Sequence, residues 1–364
     1  MRRVYFVGLR GFPRVQGGIE THVENLVLQL SKHDAVISCF GRKRYRRERR
    51  NGSNLRWIWL WAPKGQGIET LVHTLLCVIC LSFMRRGIVH LHGIGPGAFA
   101  PFLRLLGFRV IVTHHGYDYA RAKWGLIASS VLKAGELLSV RFPHEVISVS
   151  KHVAEELSAR FNRQIHYVPN GLPCIDASAQ ANEASGGEGY RPFFLMASRL
   201  VPEKRIQDAI NAFLKLNANC AELLIAGSPE DPKAEYSAFL HQAVPAQSNI
   251  SFLGSVSHEV LWRLMSKCCA FVNASSHEGL PISVLEAAAQ RAPLILSDIP
   301  AHREFALPDG AYYAVGDAFA LTQRMRKILA ADEEIASWRI DHEKMKEYSW
   351  KRISDATMVI YGWK

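Results

Sequence analysis

The sequence lacks any hydrophobic run long enough to cross a membrane. Its longest apolar stretch, LVHTLLCVICLSFM at residues 71–84, is fourteen residues long, whereas a transmembrane helix needs about twenty. The apolar run at residues 4–9 is also too short for the hydrophobic part of a signal peptide. We therefore expect a cytoplasmic protein in which residues 71–84 form a helix that is buried or lies against a membrane.

Cysteines and metal-binding patterns are also sparse. The seven cysteines are scattered and odd in number, which is typical of a reducing compartment. Cys77 and Cys80 form a CxxC, but no second ligand pair accompanies them, so we interpret both as core residues. There is no Asp-x-Asp or His-rich cluster for a metal and no GxGxxG fingerprint for NAD. We expect no metal and no cofactor.

What is present indicates a globular protein with an uneven charge. The chain has 364 residues, 48% of them hydrophobic and 21% charged, which is typical of two domains with sizeable cores. Residues 1–172 contain 25 Lys and Arg against 10 Asp and Glu, and the remainder contains 19 against 23. Much of the excess lies in RKRYRRERR at 42–50. Such asymmetry favours a polyanion or an anionic membrane as partner, although a solvated loop is the alternative.

Both halves alternate short apolar strands with helical patterns. RRVYFVGL, GIVHLHG, RVIVTHHG and EVISVS in the first half, and PFFLMAS, AELLIAG, ISFLG, CAFVNAS and PLILSD in the second, predict buried strands of parallel sheets. Residues 176–189, DASAQANEASGGEG, show no periodicity and indicate a linker. We predict an α/β protein with domains at 1–172 and 191–364, a linker at 173–190, and a last helix that could cross back to the first domain.

Two loops at predicted strand ends carry features of an anion site. In GLRGFPRVQGGIE, Gly17 and Gly18 precede a helix whose N-terminus offers N–H groups to a phosphate, although a plain strand-to-helix turn would also explain the glycines. In ASRLVPEKR, Arg199 and Lys204 follow a strand and could reach one anion, the alternative being ordinary surface charges.

The third feature is SSHEGLPISVLEAAAQ at 275–290, where Glu278 and Glu286 flank a Gly279-Leu280-Pro281 turn. Pro281 suits the first position of a helix. Glu278 near the helix start could simply be a cap, whereas Glu286 between Leu285 and Ala287 would need a buried partner such as a sugar hydroxyl.

Together these features resemble the retaining glycosyltransferases of family 4, over nearly the whole chain. Glu278 and Glu286 match that family's E-x7-E motif, and VPNGL, LLIAG, ISFLG and SDIPAHRE are further matches. GLRGFPRVQGGIE and HHGYDYARAKWG are similar to the rhamnosyltransferase-like enzymes of bacterial exopolysaccharide and O-antigen synthesis. The resemblance implies the GT-B fold, in which two Rossmann-like doubly wound domains face each other across a cleft.

The resemblance also implies a role for each motif. Arg199 and Lys204 would neutralise the diphosphate of a nucleotide sugar, with Gly17 and Gly18 lining it from the other domain. Glu286 would accept the ribose hydroxyls. Glu278 and the backbone of Gly279, Leu280 and Pro281 would hold the donor sugar, and His115 would contact it near its 6-carbon, whereas His114 is expected to be a packed or solvated residue. No metal is required for the front-face attack proposed for the family.

The implied activity is sugar transfer from a nucleotide sugar to a lipid-linked glycan, by an enzyme bound peripherally to the inner face of the cytoplasmic membrane. A non-catalytic nucleotide-sugar-binding or scaffold subunit is the alternative. Nucleic-acid binding is not expected, because no recognisable module accompanies the basic run. Donor sugar, base, acceptor, linkage and oligomeric state are not determined by the sequence.

The chain departs from the family pattern at three places. Pro173 and Cys174 follow the PNG element where an aspartate is usual. Arg205 and Arg291 stand where glycines are common. The first departure concerns interdomain details and the other two concern loop shape, and none removes a proposed ligand.

Overall fold

The computed structural model describes residues 2–13, 15, 17–46, 54–65, 67–116, 126–172, 191–229 and 235–363. These residues form two compact units. Unit 1 comprises Met1–Gly171 and Tyr348–Lys364, and unit 2 comprises Leu172–Glu347. The predicted linker at 173–190, including Pro173 and Cys174, lies outside the described residues, and so does the 117–125 part of HHGYDYARAKWG.

The described part of unit 1 contains a seven-stranded parallel sheet in the order β3-β2-β1-β4-β5-β6-β7. Its strands are β1 (Arg2–Val7), β2 (Ala35–Arg42), β3 (Leu55–Leu60), β4 (Ile88–His92), β5 (Arg109–His114), β6 (Glu145–Ser148) and β7 (His166–Tyr167). The order runs outward from β1 in one direction and from β4 in the other. The carboxyl ends of β1 and β4 therefore form the topological switch point at which doubly wound sheets bind ligands.

Helices cover both faces of this sheet. They are α1 (Gly18–Leu30), α2 (Ile68–Ser82), α3 (Ile94–Gly97), α4 (Ala100–Leu105), α5 (Leu126–Arg141) and α6 (Lys151–Phe161). Val4 and Phe6 of β1 pack in one core cluster with residues of α1. Tyr5 and Val7 pack in a second cluster with α2 and α4. Because successive strand residues point to opposite faces, the two clusters lie on opposite sides of the sheet.

Unit 2 is a second doubly wound domain. Its strands are β8 (Phe193–Ala197), β9 (Glu222–Ala226), β10 (Ile250–Gly254), β11 (Ala270–Asn273), β12 (Leu294–Ser297) and β13 (Tyr312–Tyr313). Over the described residues they form a six-stranded parallel sheet in the order β10-β9-β8-β11-β12-β13. The switch point lies between β8 and β11. The predicted α/β class with two Rossmann-like doubly wound domains is confirmed.

The helices of unit 2 are α7 (Ile206–Leu216), α8 (Glu235–Gln242), α9 (His258–Lys267), α10 (Ile282–Ala289), α11 (Pro300–Arg303), α12 (Ala318–Leu329) and α13 (His342–Lys346). The last helix, α14 (Trp350–Tyr361), belongs to unit 1. Its Trp350, Ile353 and Ile360 are buried in the cluster that α1 also covers. The last helix is therefore part of the same compact unit as β1 and α1.

Two local interpretations change with the structure. The 71–84 run lies mostly in α2, which is buried on one side and exposed on the other, and Cys80 is only partly buried while Cys77 is fully buried. Pro281 is not the first helical residue; it caps α10 with an extended ψ of 113°. No helix within the described ranges combines the length and hydropathy needed to span a membrane.

Candidate functional site

The loops that follow β8 and β11 meet at the switch point of the second sheet. The backbone N–H of Ser276 donates to the carbonyl of Glu203 at 2.9 Å, and the Ser276 hydroxyl donates to the same carbonyl at 3.2 Å. These bonds tie the Lys204 loop to the Glu278 loop. Residues 74 positions apart in the chain are thereby held side by side.

Lys204 and Glu278 form an ion pair at this junction. The Lys204 ammonium donates to Glu278 Oε1, and the Ser275 hydroxyl donates to the same oxygen at 2.7 Å. The two charged side chains are only 17% and 13% exposed. Burial alone would raise the pKa of Glu278, but the charge and hydrogen bond of Lys204, with that of Ser275, outweigh it and lower the pKa. Glu278 is therefore ionised at neutral pH.

Glu286 lies in the interior of α10 and is buried. Its Oε1 accepts a hydrogen bond from the indole Nε1 of Trp262 at 3.3 Å, and Nδ1 of His258 lies 3.5 Å away. Burial raises the pKa of Glu286, and His258 and Trp262 only partly oppose that rise. The carboxylate thus has a defined orientation and a cost of ionisation that polar ligand groups would reduce.

Gly279, Leu280 and Pro281 form the turn that leads into α10. All three are buried. Pro281 has no side-chain donor or acceptor with which to cap the helix. The first N–H groups of α10 therefore receive no hydrogen bond from the N-cap side chain. The positive end of the helix dipole lies three residues from Glu278 in the chain.

Arg199 lies in the same loop as Lys204, two residues after the end of β8. It is partly buried, and its carbonyl accepts the N–H of Val201 at 3.0 Å. Arg205, which follows Lys204, has a left-handed backbone with φ of 47° and pairs with Asp208 at 2.6 Å. The structure therefore brings Lys204 into direct contact with Glu278 and places Arg199 on the same short loop.

The glycine loop of unit 1 connects β1 to α1 at the first switch point. Gly17 is the N-cap of α1 and Gly18 its first residue. Gly17 has a φ of 157°, and a Cβ there would lie 2.0 Å from Glu20 Oε2. Glu20 is buried, accepts the backbone N–H of Arg10 at 3.1 Å and pairs with its side chain at 3.3 Å. The Arg10–Glu20 pair thus fixes the loop just before the helix.

His115 immediately follows β5, at the same end of the sheet. Its Nε2 lies 3.1 Å from Nδ1 of His92, the last residue of β4. His22 of α1 packs edge-on against His115 with ring centroids 5.2 Å apart. The pKa of both His92 and His115 lies well below its usual value. Burial is the main cause, and the charge of neighbouring histidines is the second. These rings are neutral at physiological pH.

The neighbouring His114 faces a different environment. It is fully buried, and its Nε2 lies 3.0 Å from the Ser139 hydroxyl of α5. Among the described residues, no group of three or more His, Cys, Asp or Glu side chains is arranged to hold a metal ion.

Several contacting residues were missed by the sequence analysis. Trp262 and His258 carried no motif, and only the packing of α9 beside α10 brings them to Glu286. The proximity of His90 and His92 could have been predicted, because residues two apart in a strand lie on the same face. Their rings are 4.3 Å apart.

Two solved structures match the fold of this chain along its whole length. The chain superposes on sucrose-phosphate synthase from Thermosynechococcus elongatus with a TM-score of 0.82 and 20% identity, covering 100% of this chain and 98% of that one. It matches Anabaena HepE, solved with UDP and glucose, with a TM-score of 0.78 and 14% identity over 100% of both chains. At these identities the likeness establishes the fold, which is GT-B.

Two family models match in succession. Residues 16–174 match Glycosyltransferase Family 4, and residues 179–352 match Glycosyl transferases group 1. The chain belongs to the family 4 glycosyltransferases. The prediction of a glycosyltransferase enzyme is confirmed at this level, whereas the rhamnosyltransferase-like subgroup stays a prediction.

Curated relatives share about a quarter of their aligned residues. They include an alpha-D-kanosaminyltransferase of Streptomyces kanamyceticus, 26% identical over 58% of this chain and 59% of its own length. The serotype-specific mannosyltransferase WbdA of Escherichia coli is 26% identical over 58% of this chain, but the match spans 28% of that protein. An N,N'-diacetylbacillosaminyl-diphospho-undecaprenol alpha-1,3-N-acetylgalactosaminyltransferase of Campylobacter jejuni is 27% identical over 44% of both chains. The chain thus spans less than two thirds of these relatives.

Proposed function

We propose that the protein transfers a sugar from a nucleoside-diphosphate sugar to a glycan acceptor, with retention of anomeric configuration. The observation that carries this proposal is the junction of the β8 and β11 loops. There Lys204 contacts Glu278, and the interior of the following helix holds the buried Glu286. One cation and two carboxylates whose pKa values are shifted in opposite directions thus lie at the edge of the sheet where doubly wound domains bind ligands.

The cations stabilise the leaving group. Cleavage of the donor places negative charge on the departing nucleoside diphosphate, and Arg199 and Lys204 offer it a fork of donors and a point charge. Lys204 is already oriented by Glu278, so little reorganisation accompanies its engagement. In this proposal Gly17 and Gly18 allow close backbone approach to the diphosphate.

The carboxylates hold the donor. Glu286 accepts the ribose hydroxyls, and Glu278 with the backbone at Gly279, Leu280 and Pro281 holds the transferred sugar. Glu278 is committed to Lys204 and Ser275, and Glu286 is assigned to the ribose. A glycosidase-like pair flanking the sugar is therefore not part of the proposal. The leaving phosphate assists deprotonation of the acceptor on the same face, His115 contacts the sugar, and no metal takes part.

The acceptor is proposed to be a lipid-linked glycan of bacterial surface polysaccharide synthesis, handled at the inner face of the cytoplasmic membrane. The diphospho-undecaprenol acceptor in the name of the Campylobacter relative supports this proposal. Rhamnose is our proposed donor sugar from the subgroup resemblance. The relatives named above transfer kanosaminyl, mannosyl and N-acetylgalactosaminyl groups, so these sugars are the competing candidates.

Transfer assays on site variants test the proposal. We expect Lys204→Ala and Glu286→Ala each to lose most transfer activity while remaining folded, since each removes a charged contact to the donor. Lys327→Ala is a matched control, because Lys327 forms a surface ion pair with Glu334 at 2.5 Å, away from the proposed ligands. Wild-type rates in either site variant would refute the site assignment.

A thermal-shift panel of nucleotide sugars identifies the donor. A ligand present at a hundred times its dissociation constant stabilises the folded state by about 2.7 kcal/mol. A nucleotide that binds without any donor hydrolysis or transfer would instead favour the non-catalytic subunit.

A further inference from the structure

Helix α2 presents a continuous apolar stripe to solvent. Its members are Ile68, Leu71, Leu75 and Ile79, with Phe83 just beyond the helix; they are 61, 42, 48, 50 and 88% exposed. Their spacings of three and four residues place them on one face of a helix. Surface helices of globular proteins normally carry charged side chains on this face. We call these five residues the α2 stripe.

The opposite face of α2 is anchored, so the stripe cannot turn inward. Cys77 and Leu81 are fully buried in the core beneath the sheet. The only Asp, Glu, Lys or Arg of the helix, Glu69, is also turned inward, where it pairs with Arg42 at 2.7 Å and with Arg44. The one charged residue of α2 thus faces inward, whereas the solvent-exposed face of the helix is apolar.

A basic pocket lies near the N-terminal end of α2. It has a volume of about 350 Å³ and is lined by Lys43, Arg44, Trp61, Ala62, Pro63 and Lys64. Trp61 is 58% exposed. Cations beside an exposed indole are typical of a surface that meets lipid headgroups, where amphipathic rings and basic side chains concentrate.

The other end of α2 continues the same pattern. Arg85 and Arg86, two and three residues after Phe83, are exposed. On α4, which packs on the same core as α2, Phe102 and Leu105 are 57% and 86% exposed. Apolar side chains on this side of unit 1 are thus accompanied by cations at both ends of α2.

The surrounding sequence contains almost no acidic residues. Between residues 35 and 117 the only ones are Glu48 and Glu69, against thirteen Lys and Arg. A second copy of the chain would bring the same positive rim to the contact, and like charges would repel. An anionic lipid surface satisfies the cations and the apolar stripe together.

We propose that α2 is an interfacial membrane anchor. It lies in the plane of an anionic bilayer, with the α2 stripe among the acyl chains and Lys43, Lys64, Arg85 and Arg86 at the headgroups. A fifteen-residue helix is about 22 Å long and has one face in the protein core, so it lies on the membrane without spanning it. This anchor would deliver the proposed transferase to its lipid-linked acceptor and in that sense rests on the proposed function.

Vesicle sedimentation of the full chain tests the anchor. We expect binding to vesicles of phosphatidylglycerol and phosphatidylethanolamine that weakens with salt, and much weaker binding to phosphatidylcholine. Phe83→Ser and Leu75→Ser/Ile79→Ser should each lose at least tenfold in affinity, because burying such side chains contributes about tenfold apiece. Arg85→Gln/Arg86→Gln should lose affinity and part of the salt dependence.

Matched controls use exposed apolar residues elsewhere. Phe319→Ser on α12 and Val359→Ser on α14 replace side chains that are 64% and 74% exposed and should bind as wild type does. Phe83 is so exposed that its variant should stay folded, which thermal unfolding verifies. Unchanged binding by both stripe variants, or a dimer that these variants dissociate, would overturn the anchor. Because no step uses sugar transfer, such a result would leave the transferase proposal intact.

Discussion

Nδ1 of His92 lies 3.1 Å from Nε2 of His115, at the carboxyl ends of two adjacent strands. His92 Nε2 is buried and has no hydrogen-bond partner in the described part of the structure. Buried N–H groups without an acceptor are rare. We therefore assign the proton of His92 to Nδ1, which donates to His115. His115 then carries its own proton on Nδ1, which is the donor available for the proposed contact with the sugar.

This relationship predicts that His92 positions His115. His92→Leu should lower kcat/KM for the donor about three- to tenfold, the value of one neutral hydrogen bond, whereas His92→Asn should retain most activity because its amide can donate from a similar position. Steady-state kinetics with both variants, checked for folding by thermal unfolding, measure the difference. Equal rates for Leu, Asn and wild type would exclude a positioning role.

The buried histidines predict acid sensitivity of the fold. Burial lowers the pKa of His22 to about 4 and that of His90 to about 3. Both pKa values lie below the ordinary 6.5. Between pH 6.5 and these values the unfolded chain binds more protons than the folded protein, so stability falls as the pH drops through this window. His22→Gln should reduce the slope of unfolding free energy by up to about 1.4 kcal/mol per pH unit.

Chemical unfolding at pH 7, 6 and 5 checks this slope. His152→Asn is the control, because His152 is an exposed residue on α6, with 49% of its side chain accessible. A stability that does not change between pH 7 and 5 would contradict the buried, neutral state of His22 and His90.

The sequence predicted the central strands well because they are continuous apolar runs. It did not predict β2 or β3, although β2 is largely buried. The β2 segment AVISCFGR mixes polar residues and a glycine into its pattern, and the edge strand β3 is only half-buried. Their strand state depends on pairing with β1, which local periodicity does not contain.

Candidate site residues could be predicted where a motif lies within one loop, but their tertiary contacts could not. Glu278 and Glu286 were recognised from their spacing, but the partners of Glu286 come from α9, 24 residues earlier in the case of Trp262. The sequence likewise left open whether the helix at 71–84 is buried or lies against a membrane, because an apolar run does not reveal which side faces the core.

Arg291 offers a prediction about stability. It follows α10 with a left-handed backbone, φ 60°, and is exposed. This conformation costs a non-glycine residue about 1 kcal/mol, which explains why glycine is common here in the family pattern. Arg291→Gly should raise the free energy of unfolding by up to about 1 kcal/mol, offset partly by unfolded-chain entropy. Arg291→Val should lower it. Urea unfolding of both variants measures the change, and a Gly variant less stable than the Val variant would contradict it.

Glu286 predicts a pH dependence of donor binding. To accept two ribose hydroxyls the carboxylate must be ionised, and burial raises its pKa. Acidification from pH 7 to 5 should therefore weaken nucleotide binding, by at most tenfold per pH unit once the pH is below that pKa. Trp262→Phe removes a hydrogen bond that lowers the pKa, so the weakening should begin at higher pH in that variant.

Calorimetric titration with the nucleoside diphosphate selected by the thermal-shift panel measures this dependence. Phosphate protonation also changes with pH, and Glu286→Gln isolates that contribution, because glutamine keeps the shape without titrating. The wild-type affinity should fall more steeply than that of Glu286→Gln. Parallel pH profiles for the two proteins would mean that Glu286 does not hold the ribose, and its burial beside Trp262 would then be a structural feature of α9 and α10.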